Sequence, residues 1–472
     1  MKNYIINAIV FCSLIFTMGC EEYLNVNDNP NVATSSPIDG LLNRVTHQTP
    51  VNAYRVSNGY TSYFTQYLAS PNQGSPTDTY DEVNYSTAWG NLYGVMTDAY
   101  DLINNAEEQG ADLYAGVGKI IMAINLSYVA DSWESAPYSE AFSGEIIQPG
   151  YDSGEQIYNT VLSLLDESIS LLNSGGETRA ITASKDLFYG GDVTRWIKLA
   201  NGLKARYLNH FSKQGSYDPA VVLSALGSGL QGNEDDAELT TFDVRNPWAD
   251  VAIDNDNLVL GGWLSEQFID ALNGTTFGVF DPRLPLITEP FEEDGETTFL
   301  GTPNGAGRRG DGTVQVECYL ETSGFYSSEE APLLVFTYSE QKFIEAEAAF
   351  RTDDKQRAMD AFVEGIKSNM TKIGVSTEDQ NAFIADKYPG LSAGNLTLLD
   401  IMNEKYIALF LNPETWNDAR RFDYQYTDFE LPEGAQLPDF IRRLQFPDTE
   451  MSRNGSNVPE ISGLTDPVYW DN

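Results

Sequence analysis

The side chains that most often carry catalysis are scarce in this chain or have the wrong spacing. Only two histidines occur, His47 and His210, and neither belongs to an H-E-x-x-H motif or a Cys/His cluster, so a histidine-based zinc site is not predicted. The chain has no G-x-S-x-G elbow, which argues against a serine hydrolase. We expect His210 to end an apolar helix rather than to bind a metal. The sequence indicates neither a metal nor a cofactor.

Two segments resemble binding motifs only in part. Residues 305–310 satisfy G-x-G-x-x-G, but a phosphate site needs a strand before the glycines and a helix directly after them, and here Asp311 and Gly312 follow. Residues 254–257 begin like a calcium loop, yet Leu258 stands where the third oxygen ligand belongs. We interpret this second segment as a solvated acidic loop, with an irregular Ca²⁺ site as the alternative.

Carboxylates are abundant. The chain of 472 residues carries 69 Asp and Glu against 28 Lys and Arg, a formal charge of −41. A field this negative repels nucleic acid and anionic lipid head groups, so neither is an expected partner. Glycoside hydrolases use two carboxylates about 5 to 10 Å apart. With so many acids such a pair arises by chance, so an acidic glycan-degrading enzyme stays an alternative without assigned residues.

Aromatic and amide side chains in loops are the strongest sign of ligand binding. A sugar has C–H faces that stack on flat rings and a rim of hydroxyls that amides can hydrogen-bond, and a peptide suits the same chemistry. Three loops carry such residues: Asn72, Gln73 and Tyr80; Asn246 and Trp248; and Phe325 and Tyr326. We predict ligand binding by these loops. The alternative is that the side chains only fix their own loops.

Apolar residues at three- and four-residue spacing predict the helices that position these loops. Such stripes run through 157–172, 196–211 and 359–373, and each is expected to pack against a neighbouring helix. Asp192 is a suitable N-cap for the second helix. The spacing of apolar residues from Trp196 onward partly follows the opening of a tetratricopeptide helix. Antiparallel helix pairs are the expected assembly.

Long irregular stretches separate the helices. Segments 232–262 and 291–332 are dense in Gly, Pro, Asn and Asp, and loops of this length are usually functional or disordered. Alternation at 313–321 predicts a strand with Cys318 on its apolar side, where the thiol is buried and inert. The other two cysteines lie within the first 20 residues, so no disulfide framework is expected.

The N-terminus has the pattern of an export signal. A mostly apolar run at 5–18 is too short to span a bilayer comfortably and is followed by Gly19 and Cys20, which resembles a lipoprotein box. An ordinary signal peptide is the alternative. No second apolar run of 18 residues is predicted, so we expect the rest of the chain outside the bilayer. The expected organisation is a cleaved signal at 1–19, a lipid anchor and linker at 20–37, and a single domain at 38–472.

Ordered phrases along nearly the whole mature chain resemble the SusD/RagB family of Bacteroidetes outer-membrane nutrient-binding lipoproteins, particularly its SusD-like branch. The phrases lie at 20–24, 27–31, 131–133, 136–142, 187–192 leading into Trp196, 281–284, 337–349, 404–410, Trp416 with Arg420 and Arg421, and 441–447.

The resemblance implies a mainly α fold, with tetratricopeptide-like helix pairs, long irregular loops and a few short β-strands. It also implies a lipid anchor at Cys20, a position on the outer membrane facing the cell exterior, and a SusC-like TonB-dependent transporter that the protein covers as a lid. Family members bind oligosaccharides or peptides and are not catalysts. Arg420 and Arg421 are expected to pair with acids inside the body. A third hypothesis for the function is a helical adaptor that binds a partner protein but no small ligand.

Overall fold

Coordinates come from a computed structural model that describes residues 37–174, 179–256, 261–293, 295–310 and 316–472. Within them, Ile38–Asn472 forms one compact unit. The predicted signal peptide, Cys20 and the linker up to residue 36 lie outside the described residues. The lipid anchor and the proposed domain boundaries therefore stay predictions.

Helices form most of the unit. They are, in chain order, α1 (Ile38–Val56), α2 (Ser86–Glu108), α3 (Asp112–Trp133), α4 (Gly154–Ser174), α5 (Val193–His210), α6 (Pro219–Leu226), α7 (Pro247–Asp256), α8 (Glu266–Asn273), α9 (Tyr338–Arg351), α10 (Lys355–Ile373), α11 (Thr377–Lys387), α12 (Leu398–Ala408), α13 (Glu414–Arg421) and α14 (Asp448–Arg453). Helix α1 continues through a π-helical turn at Ser57–Thr61 into a further short α-helical turn at Ser62–Phe64.

Strands are short and pair in twos among the described residues. The antiparallel pairs are β1 (Leu68–Ala69) with β3 (Trp263–Leu264), β2 (Ala237–Leu239) with β6 (Leu333–Phe336), and β4 (Phe291–Glu293) with β5 (Glu296–Thr298). The predicted mainly α class with a few short strands is confirmed.

Consecutive helices pack against each other, most extensively α2 with α3, α3 with α4, and α9 with α10. The apolar stripes at 157–172 and 359–373 lie in α4 and α10, and the stripe at 196–211 lies in α5 and the turn that follows it. Asp192 caps α5, as predicted, because its carboxylate accepts hydrogen bonds from the amides of Thr194 and Arg195 at 2.9 and 3.3 Å. Periodicity and capping therefore predicted these helices correctly.

Helix α3 corrects the expectation that no further apolar run of membrane-spanning length follows the signal. Its 22 residues contain a window with a mean hydropathy of 1.4, enough to cross a bilayer by length and composition. However, 89% of that window is buried inside the protein. Since neighbouring helices cover it almost completely, α3 is a helix of the protein core.

The expected irregular stretch at 232–262 is partly regular. It contains β2 and α7, so Asp254 and Asn255 are helical rather than part of a solvated loop, and Asn257 lies outside the described residues. Helix α7 forms because its inner residues, Trp248 and Ala252, are buried against the core. Across the described residues, no group of three or more His, Cys, Asp or Glu is arranged to hold a metal ion.

Cys318 is buried, as predicted, but the expected strand around it is reduced to a single β-bridge between Trp263 and Tyr319. Residues 311–315 lie outside the described part of the chain. Burial raises the pKa of the Cys318 thiol to about 11. At neutral pH the thiol is therefore protonated and unreactive.

Ion pairs inside the helical body form what we call the buried charge network. The Arg206 guanidinium donates to both carboxylate oxygens of Glu340 at 2.6 Å, and Arg421 donates to both oxygens of Glu347 at 2.5 Å. Arg421 also contacts Asp418 at 2.7 Å. All of these side chains are at most 2% exposed. Helices α5, α9 and α13 are therefore joined by charges that have lost nearly all contact with water.

The two arginines that the sequence placed together have different roles. Arg421 pairs with buried acids, as predicted. The prediction for Arg420 was wrong, because its guanidinium lies 3.8 Å from the ring centre of Trp416 and donates to the carbonyl oxygens of Asp131 and Arg442 at 2.6 and 2.7 Å. Arg420 therefore joins two chain segments through their backbones.

His210 is the last residue of α5, as predicted for a helix-end histidine. Its ring is buried between the Tyr158 hydroxyl, at 2.8 Å from Nδ1, and the Glu414 carboxylate, at 2.6 Å from Nε2. With both ring nitrogens engaged, His210 fixes the end of its helix.

Two kinds of buried carboxyl give the fold an unusual pH dependence. Burial raises the pKa of Asp78 and of Asp236 to about 6 in each case. Glu404 is also buried, but Lys387 and Arg283 overcome that effect and hold its pKa at about 2. The first kind takes up a proton more readily in the folded state than in the unfolded state, and the second kind less readily.

We therefore expect the free energy of unfolding to rise as the pH falls from about 7 to about 5 and to decrease again below about 4. Between pH 6 and 4 the folded state binds more protons through Asp78 and Asp236, which stabilises it. Below about pH 4 the unfolded chain binds more protons through groups such as Glu404. Urea denaturation at fixed pH steps measures this profile, and Asp78→Asn should flatten its rising part. A stability that decreases steadily from pH 7 to 5 would contradict the assignment.

Candidate ligand-binding surface

A buried carboxylate holds together the loops that carry the first group of predicted site residues. The carboxylate of Asp78 accepts hydrogen bonds from the Ser70 amide at 3.1 Å, from Asn304 Nδ2 at 2.5 Å and from the Gly305 amide at 2.7 Å. Asn304 Nδ2 also donates to the carbonyl oxygen of Leu68 at 2.9 Å. We call this set of contacts the Asp78 junction. It joins the 68–78 loop to residues 304 and 305, which are far away in sequence.

The glycines of the 305–310 segment allow the close approach of three chain segments. Gly305 has φ +81°, and a Cβ atom there would lie 2.0 Å from the carbonyl oxygen of Glu433. Gly307 has φ +78°, and a Cβ atom there would lie 2.5 Å from the amide nitrogen of Gln73. Only glycine fits such positions without strain. The motif thus serves loop packing, in agreement with the sequence-based rejection of a phosphate site.

Residues 428–437 form the third segment of this surface. The Glu433 amide donates to the Asn304 carbonyl at 2.9 Å, and the Gln436 amide donates to the Thr79 carbonyl at 2.8 Å. Gln66 Nε2 donates to the Glu430 carbonyl at 2.6 Å. These hydrogen bonds therefore hold the 428–437 segment against the other two segments.

A cavity of about 260 Å³, which we call the polar pocket, lies between these segments and α8. Ten of its thirteen lining residues have polar side chains, and the other three are Pro303, Leu431 and Pro432. Amides and hydroxyls come from Gln66, Gln267, Thr275, Thr276 and Asn304, and carboxylates come from Glu266, Asp270, Asp428, Glu430 and Glu433. Amides both donate and accept hydrogen bonds, hydroxyls do the same, and carboxylates accept. This set matches a ligand that is rich in hydroxyl groups.

Electrostatics make the polar pocket unfavourable for anions. Arg309 forms an ion pair with Glu266 at its edge, which neutralises one of the carboxylates. Burial raises the pKa of Asp270, and the negative charges of Glu266 and Asp428 raise it further. A negatively charged ligand would add to this repulsion, whereas a neutral or cationic ligand would not.

An exposed aromatic ring lies on the loop that supplies Thr275 and Thr276. Phe280 is 47% exposed, an unusual exposure for a large apolar side chain in this protein. Its ring centre lies 5.9 Å from that of Phe299, which supports it from one side. Phe280 does not line the polar pocket itself, but it offers an exposed apolar ring on the loop that follows α8.

The first loop of predicted site residues belongs to this surface. Asn72 and Gln73 are exposed at its tip, next to Gly307. Tyr80 follows the Asp78 junction and is buried, with its ring edge-to-face against Phe64 at 5.7 Å.

The other two loops meet each other elsewhere. Asn246 is fully buried, and its side-chain Nδ2 donates to the carbonyl oxygens of Tyr326 and Ala331 at 3.1 and 2.9 Å. Its side-chain Oδ1 accepts a hydrogen bond from the backbone amide of Trp248 at 2.8 Å. Phe325 is half-buried, with its ring edge-to-face against Tyr326. The Asn246 amide therefore ties the second loop to the third.

Trp248 and Tyr326 line a narrow cleft together with Tyr54 and Phe410. The cleft measures about 30 Å³, which is room for only about two water molecules. Trp248 is 4% exposed and Tyr326 is 6% exposed, so neither ring offers an open face to a sugar in this conformation. The structure separates the seven predicted residues into two places, and their role in ligand binding stays a prediction.

Helix α8 and the loop after it supply much of the polar pocket, but the sequence did not predict this role for them. Gln267, Thr275, Thr276 and Phe280 were not singled out. The loop signal was present, because Thr275, Thr276 and Phe280 lie between Gly274 and Pro282, the kind of aromatic and polar loop used as evidence elsewhere.

Comparison with solved structures identifies the fold. The chain is similar to a SusD/RagB family protein from Bacteroides thetaiotaomicron, with a TM-score of 0.74, 21% identity, and coverage of 93% of this chain and 99% of the other. It is also similar to a chitin-binding SusD homolog from Flavobacterium johnsoniae, with a TM-score of 0.75, 20% identity, and coverage of 92% and 98%. A comparison with curated protein sequences gives no match.

A family model covers most of the sequence. The SusD-like model, described as starch-binding and associating with the outer membrane, matches residues 29–447. Its match and the full-length structural similarity agree with the helical body and the loop-built surface described above. The chain therefore belongs to the SusD-like family, whose members associate with the outer membrane.

Proposed function

We propose that this protein is a cell-surface nutrient-binding lipoprotein. It captures an oligosaccharide in the polar pocket and delivers it, as a lid, to a SusC-like TonB-dependent transporter. The observation that supports this best is the polar pocket, a cavity of about 260 Å³ walled by amides, hydroxyls and carboxylates on loops that the Asp78 junction holds in place. The family's description as starch-binding and the chitin-binding homolog support a glycan as the ligand.

Capture on this surface requires no chemical step. Gln267 and the hydroxyls of Thr275 and Thr276 can exchange hydrogen bonds with sugar hydroxyls, and Phe280 can stack on a C–H face of the ring. The loops are already fixed to each other, so little conformational entropy is lost when the ligand binds. Anchoring through Cys20 would keep an acidic body at the membrane, because each buried methylene of an acyl chain contributes about 0.8 kcal/mol.

The ligand class is tested by calorimetric titration of the protein with malto-oligosaccharides, chito-oligosaccharides, acidic glycans and short peptides. We expect binding of neutral glycans and none of uronic-acid polymers. If peptides bound tightly and no glycan bound, the proposed ligand would be a peptide and not an oligosaccharide.

Side-chain substitutions test the location of the site. We expect Gln267→Ala and Phe280→Ala each to weaken glycan binding by about 3- to 10-fold, the effect of losing one hydrogen bond or one stacking contact. The matched controls are Gln356→Ala and Leu399→Ala, since Gln356 is an exposed amide on α10 and Leu399 is 40% exposed on α12. Equal affinities for all four variants would place the site elsewhere.

The transporter partner is tested by affinity purification of the protein from native outer membranes. We expect a large β-barrel transporter to copurify. Repeated recovery of the protein alone, under conditions that preserve other membrane complexes, would contradict delivery to such a transporter.

A glycan-degrading enzyme is the second candidate, and one observation favours it. Asp270 has a raised pKa in a cleft that also contains Glu266 and Asp428, as a general acid beside other carboxylates would have. Incubation of the bound glycan with the protein, followed by product analysis, separates the two functions. Turnover that is lost in Asp270→Asn would establish the enzyme, and an intact glycan would support binding alone.

A further inference from the structure

A second cavity is lined in part by Gln436 and Leu437, from the same 428–437 segment that contributes to the polar pocket. It measures about 430 Å³, within the range of about 300–1,000 Å³ that is usual for small-molecule sites. Three stretches of chain line it: residues 80–82, residues 436, 437 and 445, and residues 461–464. We call it the C-terminal pocket.

Hydrogen bonds hold all three walls. The Gln436 amide nitrogen donates to the Thr79 carbonyl at 2.8 Å, which ties the second wall to the first. The carboxylate of Asp466 accepts from the amides of Ser462 and Gly463 at 2.8 and 2.9 Å, which fixes the third. The carbonyl oxygen of Leu464 then accepts from the Arg442 amide at 2.8 Å. The pocket is therefore a formed site rather than a gap between independent loops.

Its lining combines an aliphatic patch with amides. Leu464 is buried, and Leu437 and Ile461 are half-buried and pack against the core. Gln436 and Gln445 add side-chain amides to the same cavity. The Gln436 amide is oriented by its own hydrogen bond, because Nε2 donates to the Gly434 carbonyl at 2.9 Å.

Charge excludes one class of ligand. Asp81 and Glu82 are exposed at the edge of the pocket, and no Lys, Arg or His is part of its described lining. An anionic sugar would meet carboxylates with no cation to bind it. The ligand is therefore neutral or cationic.

We propose that the C-terminal pocket binds an N-acetylated amino sugar, as one unit of the captured oligosaccharide. The acetamido group has an apolar methyl, which suits the patch of Leu437, Ile461 and Leu464. It also has one N–H donor and one carbonyl acceptor, which a glutamine amide can satisfy together. A plain hydroxyl at the same sugar position would leave the aliphatic patch against a polar group. This inference rests on the proposed glycan-binding function and adds a second pocket and a sugar type to it.

The test compares chitopentaose with cellopentaose, which share the β-1,4 backbone and differ by the acetamido group. Titrations use the full chain in a detergent without a sugar head group. We expect chitopentaose to bind at least about tenfold more tightly. Gln445→Leu, which removes the amide at similar size, should abolish that preference.

A blocking variant gives a second measurement that does not depend on removing a contact. Gly463 lines the pocket, and a Cβ atom there would meet no atom within 4 Å, so Gly463→Phe is expected to fold and to fill the cavity. Gly215→Phe is the matched control, because that glycine has the same free space and lies outside the pocket. We expect the preference to be lost in the first variant and kept in the second.

The outcomes separate this inference from the proposed function. Equal affinities for the two pentaoses, or a preference that survives Gly463→Phe, would overturn the inference while leaving glycan binding intact. Binding of maltopentaose alone would also overturn it and keep the proposed function. Failure of every glycan in the panel to bind would contradict both.

Discussion

Arg421→Ala is expected to lower the free energy of unfolding by about 3 to 5 kcal/mol, the usual cost of breaking a buried ion pair by removing one partner. Arg421 donates to both oxygens of Glu347, and the side chains are 1% and 0% exposed. Without the guanidinium, the Glu347 carboxylate would keep only Arg351, at 2.9 Å, and Asn209. A charge desolvated to this degree is costly unless it is well paired.

Urea denaturation followed by circular dichroism measures the loss. The control is Lys355→Ala, because Lys355 and Asp353 form an ion pair on the surface, with side chains 55% and 84% exposed, where such pairs contribute at most about 1 kcal/mol. An effect of Arg421→Ala no larger than that of the control would show that water or a neighbouring group compensates the network. Loss of folded protein during expression would agree with the expected size.

Gly305→Ala is the second substitution with a large expected effect. A Cβ atom at residue 305 would lie 2.0 Å from the Glu433 carbonyl oxygen, and φ is +81°. A positive φ alone costs about 1 kcal/mol for alanine, and the contact forces the 428–437 segment to move as well. We expect a loss of more than about 2 kcal/mol in stability and a loss of glycan affinity of at least about tenfold, because the wall of the polar pocket shifts.

Gly434→Ala separates the two causes. Gly434 also has a positive φ, +72°, but a Cβ atom there would meet no atom within 4 Å. That variant should lose about 1 kcal/mol and keep its glycan affinity. If both variants behaved alike, the close approach at Gly305 would not control the pocket. Thermal unfolding and calorimetric titration of the two proteins provide the comparison.

The helices that could be predicted from the sequence are those for which the spacing of apolar residues is sufficient evidence. The apolar stripes of α4, α5 and α10 repeat every three or four residues, so periodicity alone indicates a helix and its buried face. Helix α7 was missed because its surroundings are rich in Gly, Asn and Asp, which suggested a loop. Pro247 at its first position, directly after Asn246, is a helix-start signal that the composition concealed.

The candidate site was less predictable because its parts are far apart in sequence. Gln66, Gln267, Asn304 and Glu430 line one pocket, although the first and last are more than 360 positions apart in the chain. No local spacing reveals such a pocket. Trp248 was predicted as a ligand contact because it is an aromatic residue in a Gly- and Asn-rich stretch. The structure shows that its side chain is buried, which the sequence does not reveal. Composition indicates which chemistry a loop can offer but not whether its side chains reach solvent.

The buried charge network also restricts how this protein can diverge. Exchanging Glu347 or Arg421 singly would leave the other, a buried charge, with fewer opposite charges around it, whereas an apolar pair of similar volume can replace both at once. Descendants of this chain should therefore retain the two residues together or lose them together. Side chains of the polar pocket such as Gln267 and Thr275 take no part in this network, so they can change one at a time and alter what the pocket accepts on an unchanged helical interior.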